Sequence, residues 1–408
     1  MAGAAAATEP QFLTARRERA VTTMGDLEVP SFRGVAGWEF TPIDKLDLDA
    51  FPPAAAGSID AAASTVFALE DAARPSTEEP ASEGPIIMPL ALAAERYPDI
   101  VEQHLGAVVT RADPFTARND QLWADGALVY VPRGVHVEAP ILLDVVHEHS
   151  ALYWRTLIVL EEGAQAEVWE QTLSADPDGE GLVNSVVEIV VGQNANLHYV
   201  AGQDLSEKSW IFSSQRAVVA RDGQLNWTTL GFGSANGKVF LETNLAGEGA
   251  HAAVNGAYAT HGRQHLDFDT LQEHAAANTT SDLAFRGILH ERSTTVWRGM
   301  IKVDEGAQQT DAFQESRNLL ISKKAHADSI PGLEILADDV RCTHAAAIAQ
   351  IDKDQLFYLR SRGLSDAAAR RLVIEGFLSA LVERFPEGAL RETVAGAIEA
   401  RLERVLGA

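Results

Sequence analysis

The chain has 408 residues, 46% of them hydrophobic, enough to bury a sizeable core as one elongated domain with appendages or as two to three compact ones. Its 33 basic against 58 acidic side chains leave a formal charge of −25, which repels phosphate backbones over most of the surface and argues against nucleic acid as a partner. A single cysteine excludes an internal disulfide framework, and no basic segment leads into an apolar run and no stretch is apolar enough to span a bilayer. The expectation is a soluble cytoplasmic protein with no membrane contact.

Alanine-rich sequence opens the chain, and Phe12, Leu13, Ala15, Ala20 and Val21 punctuate the charged run Arg16-Arg17-Glu18-Arg19, which suits a helix. Pro30 and the stretch from Gly34 to Gly37 break it before Trp38-Glu39-Phe40-Thr41-Pro42. From Asp47 to Pro85 the text is Ala, Pro, Ser and acidic residues, with few large apolar side chains, and reads as loop or poorly ordered linker. Leu90, Ala94, Tyr97, Val101 and Leu105 then recur at helical spacing and predict one helix over 90–105.

From about Gly126 to Ile351 the pattern changes to short runs rich in β-branched residues, such as Leu128-Val129-Tyr130-Val131, Thr156 to Leu160, Val186 to Val191 and Val218-Val219-Ala220, which predict strands. A turn theme recurs: Gly163-Ala164-Gln165-Ala166, Asn194-Ala195-Asn196-Leu197, Asp222-Gly223-Gln224-Leu225, Gly249-Ala250-His251-Ala252, Gly306-Ala307-Gln308-Gln309 and Lys324-Ala325-His326-Ala327. The first four are spaced by 31, 28 and 27 residues, which predicts a stacked architecture, either a β-helix or a rolled double sheet. After Gly363, Ser365 and Asp366 make a capped start, and Ile374, Phe377, Leu378, Leu381, Val382 and Phe385 lie on one apolar stripe. Pro386-Glu387-Gly388 ends that helix, and Leu390, Val394, Ala397, Ile398, Leu402 and Val405 mark another. The two stripes are expected to pack on each other and on the β region.

Three chemistries compete. Gly231-Phe232-Gly233-Ser234-Ala235-Asn236-Gly237-Lys238-Val239 looks like a phosphate loop, but Phe232 stands where its first glycine belongs and Val239 where a hydroxyl must hold magnesium. It reads as an ordinary turn, so any ATP hydrolysis belongs to another subunit. His147-Glu148-His149 places two imidazoles on one face of a strand, the start of a cupin-like single-chain metal enzyme, yet Ser150 to Arg155 supplies no following carboxylate. His261/His265 and His290/Glu291 are weaker pairs in turn-like sequence. Cys342 and His344 sit in Ala337-Asp338-Asp339-Val340-Arg341-Cys342-Thr343-His344, and residues i and i+2 of a strand share a face about 6.6 Å apart. That is long for direct proton transfer and suitable for two ligands of soft metal or iron–sulfur chemistry, a pair too small to complete a site.

Ser316-Arg317-Asn318-Leu319-Leu320-Ile321-Ser322, then Leu333-Glu334-Ile335 and Ala337 to His344, then Asp354-Gln355-Leu356-Phe357-Tyr358-Leu359-Arg360-Ser361-Arg362-Gly363-Leu364 resemble the SufD family, scaffold subunits of the SUF iron–sulfur cluster assembly complex. Trp38-Glu39-Phe40-Thr41 and the order helix, long β region, helices resemble it too; the likeness spans nearly the whole chain and is specific over roughly 313–385. Leu319 directly follows the Ser-Arg-Asn, where SufB-like sequences carry an insertion and further cysteines, so the chain is more similar to SufD than to SufB. Ala345-Ala346-Ala347 departs from the glycine that often follows the family's histidine.

The resemblance implies a mainly β fold, a right-handed parallel β-helix core over 111–352. Flanking it are a mainly helical region, 1–110, with a flexible linker near 50–85, and a helical ATPase-docking region, 353–408. It implies a non-catalytic scaffold that pairs with the SufB paralogue, meets the ABC-type ATPase SufC through Phe357, Tyr358, Leu359, Arg360 and Arg362, and shares a transient iron–sulfur cluster with SufB at Cys342 and His344. His344 is the stronger ligand candidate. No nucleotide is expected on this chain; a sulfur donor and cluster acceptors are further partners it allows, and flavin is left open. In the mechanism so implied, nucleotide-driven dimerisation of the ATPase pulls on both scaffolds and opens their interface to iron and sulfide.

Overall fold

The recurring turn theme has a backbone cause. Gly163 (φ 70°), Asn194 (56°), Asp222 (54°), Gly249 (74°), Asn278 (58°) and Gln309 (60°) all occupy the left-handed region that Gly and Asn tolerate best. Each lies where one sheet hands the chain to the other, so one such corner recurs in six successive coils, from Gly163 to Gln309.

The computed structural model describes residues 9–25, 27, 29–30, 35 and 37–406; the alanine-rich start and Gly34 lie outside them. The N-terminal part contains helix α1 (Gln11–Gly25), strands β1 (Pro53–Ala54) and β2 (Ile86–Pro89), and helices α2 (Leu90–Arg96), α3 (Pro98–His104) and α4 (Pro114–Leu122). The strands β3 (Asp125–Val131), β4 (Ile141–His147), β5 (Ser150–Leu160), β6 (Gln165–Ser174), β7 (Gly181–Val191), β8 (Asn196–Asp204), β9 (Ser209–Val219) and β10 (Gln224–Gly231) follow. Then come β11 (Asn236–Leu245), β12 (His251–Thr260), β13 (His265–His274), β14 (Thr280–Leu289), β15 (Thr294–Val303), β16 (Thr310–Leu320), β17 (His326–Ile335) and β18 (Val340–Gln350). Helices α5 (Lys353–Ser361), α6 (Asp366–Val382) and α7 (Ala389–Leu406) end the chain.

From β3 onward, odd strands form one sheet and even strands the other, each pairing in parallel with the strand one coil before and one coil after. The result is a parallel β-solenoid with helices at both ends. Register is conserved from coil to coil: Leu160, Val191, Val219, Leu245, His274, Val303 and Ile335 form one stack. Because side chains alternate faces, every second residue enters the interior. Tyr199 and Trp227 meet there at 5.7 Å between ring centroids, Tyr258 and Phe268 at 5.3 Å, and Phe285 and Trp297 at 6.2 Å. Each fully buried large apolar side chain contributes about 1.5–3 kcal/mol.

The segment expected to be a flexible linker near 50–85 is irregular, but it is the cap of the solenoid's N-terminal end. Gly57 bridges to Val146 and Ala73 to Ile141 on the outer edge of β4, while β2 pairs antiparallel with β3. Phe67 is buried against Trp169 at 4.8 Å, and the Gln171 Oε1 accepts the backbone N–H groups of Val66 and Phe67 at 3.0 Å. The one helix predicted over 90–105 is two, because Pro98 has no N–H and pushes Tyr97 (φ −127°, ψ 53°) out of helical geometry. Helix in this part is α1 to α4 with two single 3-10 turns, Leu48–Ala50 and Ile59–Ala61, and the rest is extended or irregular.

Trp38 pins the chain to the outer face of the odd-strand sheet, stacking on Phe115 at 5.1 Å and meeting the Phe240 ring edge-on at 5.8 Å. Beneath it the fully buried Lys238 ammonium pairs with Asp267 Oδ2 at 2.9 Å, and the same oxygen accepts the Thr41 hydroxyl at 2.5 Å. On the even-strand sheet, α6 and α7 bury Ile374, Leu378, Leu381, Val394, Ile398 and Leu402 against Val200, Leu230, Ala257 and Ile288. Arg401 of α7 is buried in the corner turns, its Nε donating to Ala259 O at 3.0 Å and a terminal nitrogen to Gln264 Oε1 at 3.0 Å. Replacing Trp227 by alanine leaves a large interior cavity, and denaturant unfolding is expected to show a loss of about 3–5 kcal/mol. A loss below about 1 kcal/mol would contradict a close-packed interior.

Candidate functional site

The two ends of the solenoid differ. The N-terminal edges are covered as described, whereas β17 and β18 are the last strands of their sheets and each has a paired neighbour on one side. β18 is eleven residues long and mostly exposed, and its free edge carries a row of backbone donors and acceptors, the usual template for pairing with another chain. Large apolar side chains lie exposed around it: Leu333, Ile335, Leu336 (56%) and Ile348 (44%).

Register decides where the Cys-x-His pair points. Cys342 is opposite Ala312 and His344 opposite Gln314, and Ala312 and Gln314 are buried inward-facing residues of β16. Cys342 and His344 therefore continue the inner face of the solenoid into its open mouth. Cys342 is half-buried against Ile301, Val303, Ala307 and Ala312. Burial pushes its thiol above the ordinary range, and the neighbouring Asp311 carboxylate adds to the rise. His344 is exposed. Next to it in the register, Gln314 donates to Gly299 O at 3.2 Å and Gly332 O at 3.1 Å, while its Oε1 is buried with no partner among the described residues. Among the described residues no group of three or more His, Cys, Asp or Glu side chains is placed to hold a metal ion. A thiol and an imidazole thus share one inner face at an open edge.

The cupin-like alternative at His147 and His149 is not what the chain builds. β4 ends at His147, and the turn through Ser150 (φ 66°) separates the two rings. His147 is buried with its Nε2 3.1 Å from Ser150 O, and burial holds its pKa below the usual imidazole value; His149 is exposed. His261 instead pairs with Glu207 at 2.5 Å, and His265 is buried against the Thr294 hydroxyl at 2.7 Å. Gly231 to Val239 is the β10–β11 corner, in which Phe232 is buried and Lys238 serves the Asp267 pair.

The second set of candidate residues lies on α5, which starts two residues after β18 ends. Leu356 is its buried anchor, Leu359 is half-buried, and Phe357 (74% exposed) and Tyr358 (55%) project outward. The Arg362 guanidinium lies over the Tyr358 ring at 5.1 Å, and Arg360 pairs with Asp366 at 3.5 Å. Two large exposed aromatic faces beside arginines have the composition of protein–protein contacts. No described helix is long and apolar enough to cross a membrane.

Sequence reasoning missed the exposed apolar rim of Leu333, Ile335, Leu336 and Ile348. Its signal was the pair Leu333 and Ile335 at i, i+2 in the last odd strand, inward-facing positions paired with Ile301 and Val303 that no later coil covers.

Residues 144–377, more than half of the chain, match the family model "SUF system FeS cluster assembly, SufBD core domain", and residues 60–143 match "SufBD protein N-terminal region". The iron–sulfur cluster assembly protein SufD of Bacillus subtilis (strain 168) is 29% identical, with 97% of this chain and 95% of the relative covered. The SufB protein of the same organism is 26% identical over 88% of this chain and 78% of its own length. An iron–sulfur cluster assembly SufBD family protein of Synechocystis is 28% identical over 76% and 67%.

Alkylation of Cys342, the chain's lone thiol, by iodoacetamide is expected to rise with pH to a midpoint above that of a free cysteine, because burial disfavours the thiolate. A midpoint at or below the free value would show that the site stabilises the thiolate.

Proposed function

The chain belongs to the SufBD family of iron–sulfur cluster assembly proteins, and from that premise we propose that it is the SufD-type half of a two-solenoid scaffold. Its uncapped end pairs with the corresponding end of a SufB-type solenoid, and Cys342 and His344 supply part of a ligand set that holds nascent iron–sulfur cargo between the two. A SufC-type ATPase docks on α5 through Phe357, Tyr358, Leu359, Arg360 and Arg362. The observation that carries this proposal is the pair of free sheet edges at one end, with both candidate ligands on the inner face of the final strand.

The chemistry divides between the two side chains. Cys342 sits against aliphatic neighbours with its thiol held protonated, so it resembles a supporting group that becomes a ligand only when metal displaces its proton. His344 is exposed at the open end, within reach of a metal without displacing packed neighbours, which favours it as the first ligand. One thiol and one imidazole do not meet the needs of an iron–sulfur cluster, so the remaining ligands come from the partner. Force reaches the site along the chain itself. α5 follows β18 through a two-residue connection, Ile351 and Asp352, and Ile351 is buried, so the link is not a slack tether. The chain performs no turnover of its own; it is lever and partial ligand set.

In the reconstituted complex with SufB-type and SufC-type partners, His344→Ala is expected to lower cluster yield about tenfold or more while the complex still assembles, with Cys342→Ala costing less. Normal cluster content in the intact His344→Ala complex would remove the ligand role. Phe357→Glu with Tyr358→Glu is expected to abolish ATPase binding and leave the scaffold pair intact, read by co-elution. These substitutions leave in place α6 and α7, which cover the even-strand sheet; ATPase retained at wild-type affinity would refute the docking face.

A further inference from the structure

In a chain of net charge −25, one line of turns carries unpaired positive charge. The register of β13, β15 and β17 aligns His265, Thr294 and His326. The residues two positions earlier, Arg263, Arg292 and Lys324, therefore occupy the same place in three successive coils, with Lys323 beside the last. Backbone bonds hold these turns in a stack: Arg292 N–H donates to Gly262 O at 3.0 Å, and the Ser322 hydroxyl donates to Glu291 O. Coils repeat at the interstrand spacing, so the three cations form a ladder with rungs about 4.8 Å apart. All four side chains are exposed, and among the described residues none of them makes an ion pair. The neighbouring Glu291 carboxylate is occupied by Gly262 N–H at 2.8 Å.

The ladder borders a cleft of about 640 Å³ lined by Arg263, His290, Arg292, Ser322, Lys323 and Lys324, with Glu291 as its one carboxylate against four cations. His290 also lines a second groove of about 520 Å³, walled by Ile321, Ala367, Ala368, Leu402 and Leu406. Its charged lining residues are committed to one another or to neighbours, Arg370 to Asp366 at 2.6 Å and Arg371 to Glu375 at 2.5 Å and Glu403 at 3.5 Å, and the remaining wall is apolar. A basic ladder thus runs into an apolar slot between the turns and the C-terminal helices.

We infer that this ridge is a docking site for a short acidic protein segment that carries an apolar anchor. Three rungs span about 10 Å, the length of three extended residues. A polyanion of nucleic-acid length would run off the ladder within one Debye length, about 8 Å at physiological salt, onto a surface of its own sign. A segment of a few carboxylates followed by one or two large apolar side chains matches both halves of the surface. This inference is independent of the pairing at the solenoid's mouth, since it rests on other residues.

The test uses the full chain and a fluorescein-labelled peptide of four glutamates followed by leucine and phenylalanine, read by fluorescence anisotropy. Saturable binding at low salt is expected, weakening at least fivefold between about 0.05 and 0.5 M salt. The triple variant Arg263→Glu, Arg292→Glu, Lys324→Glu is expected to lose about tenfold or more in affinity, and Leu406→Asn, at a half-buried wall of the groove, to weaken binding without changing its salt dependence. Because those three side chains are exposed, the variant's circular dichroism and melting curve are expected to match the parent's; if they do not, Arg263→Gln, Arg292→Gln, Lys324→Gln replaces it with the same expectation. No saturable binding up to about 1 mM protein, equal affinity in the charge variants, or tighter binding of a single-stranded oligonucleotide than of the peptide would each overturn the inference.

Discussion

Parallel strand pairing in strict register is the constraint on which the rest of this molecule depends. Every coil satisfies its backbone groups by bonding to the coil before and the coil after, so stability is shared between neighbours and the stack has no natural stopping point. Both ends must be dealt with. At the N-terminal end β2 and the irregular segment carrying Gly57, Phe67 and Ala73 close the edges. At the other end β17 and β18 keep free edges with exposed aliphatic side chains, and the Cys342 and His344 pair lies there. The same pairing rule that builds the core thus leaves an open end, and the register that aligns interior residues aims the two candidate ligands into it.

The outer faces are organised by charge burial. Arg155, fully buried, donates to Asn119 at 2.8 Å and pairs with Asp120 and Glu188, and the Glu188 carboxylate in turn accepts the N–H groups of Gly106, Val108 and Val109. Removing one member of such a set strands a charge in low dielectric, so the N-terminal helices are held in one position rather than sliding over the sheet. Arg401 does the same for α7, wedged between Ala259 O and Gln264 with Asp204 nearby. The helices at both ends are fixed parts of the solenoid.

Local rules made much of this legible. The left-handed corners at Gly163, Asn194, Asp222 and Gly249 left a visible period in Gly, Asn and Asp, because few other residues tolerate that backbone. Ser365 capping the N–H of Ala368 and the stripe from Ile374 to Leu381 are likewise short-range features. What failed depended on distant contacts. The segment 50–85 looks like a linker because it lacks large apolar residues, yet its backbone N–H groups are satisfied by β4, by Ser174 and by Gln171, more than sixty residues away. His147 and His149 suggested one strand face, but the strand ends between them. Pro98 was visible, and its helix-splitting effect was underweighted against an apolar spacing that runs across it.

By itself the sequence determined that the chain is a stacked β protein with helical ends, that it carries one Cys-x-His pair, and that no complete ligand cluster accompanies it. Those properties follow from backbone preference, side-chain period and composition, which need no knowledge of what lies across the fold. Only the tertiary structure decided which end of the stack is capped and which is open, that Cys342 and His344 face the interior of the final coil, and that Arg263, Arg292 and Lys324 form one ladder. All three are matters of register between strands about thirty residues apart, set by the summed fit of every coil and written in no single stretch of chain.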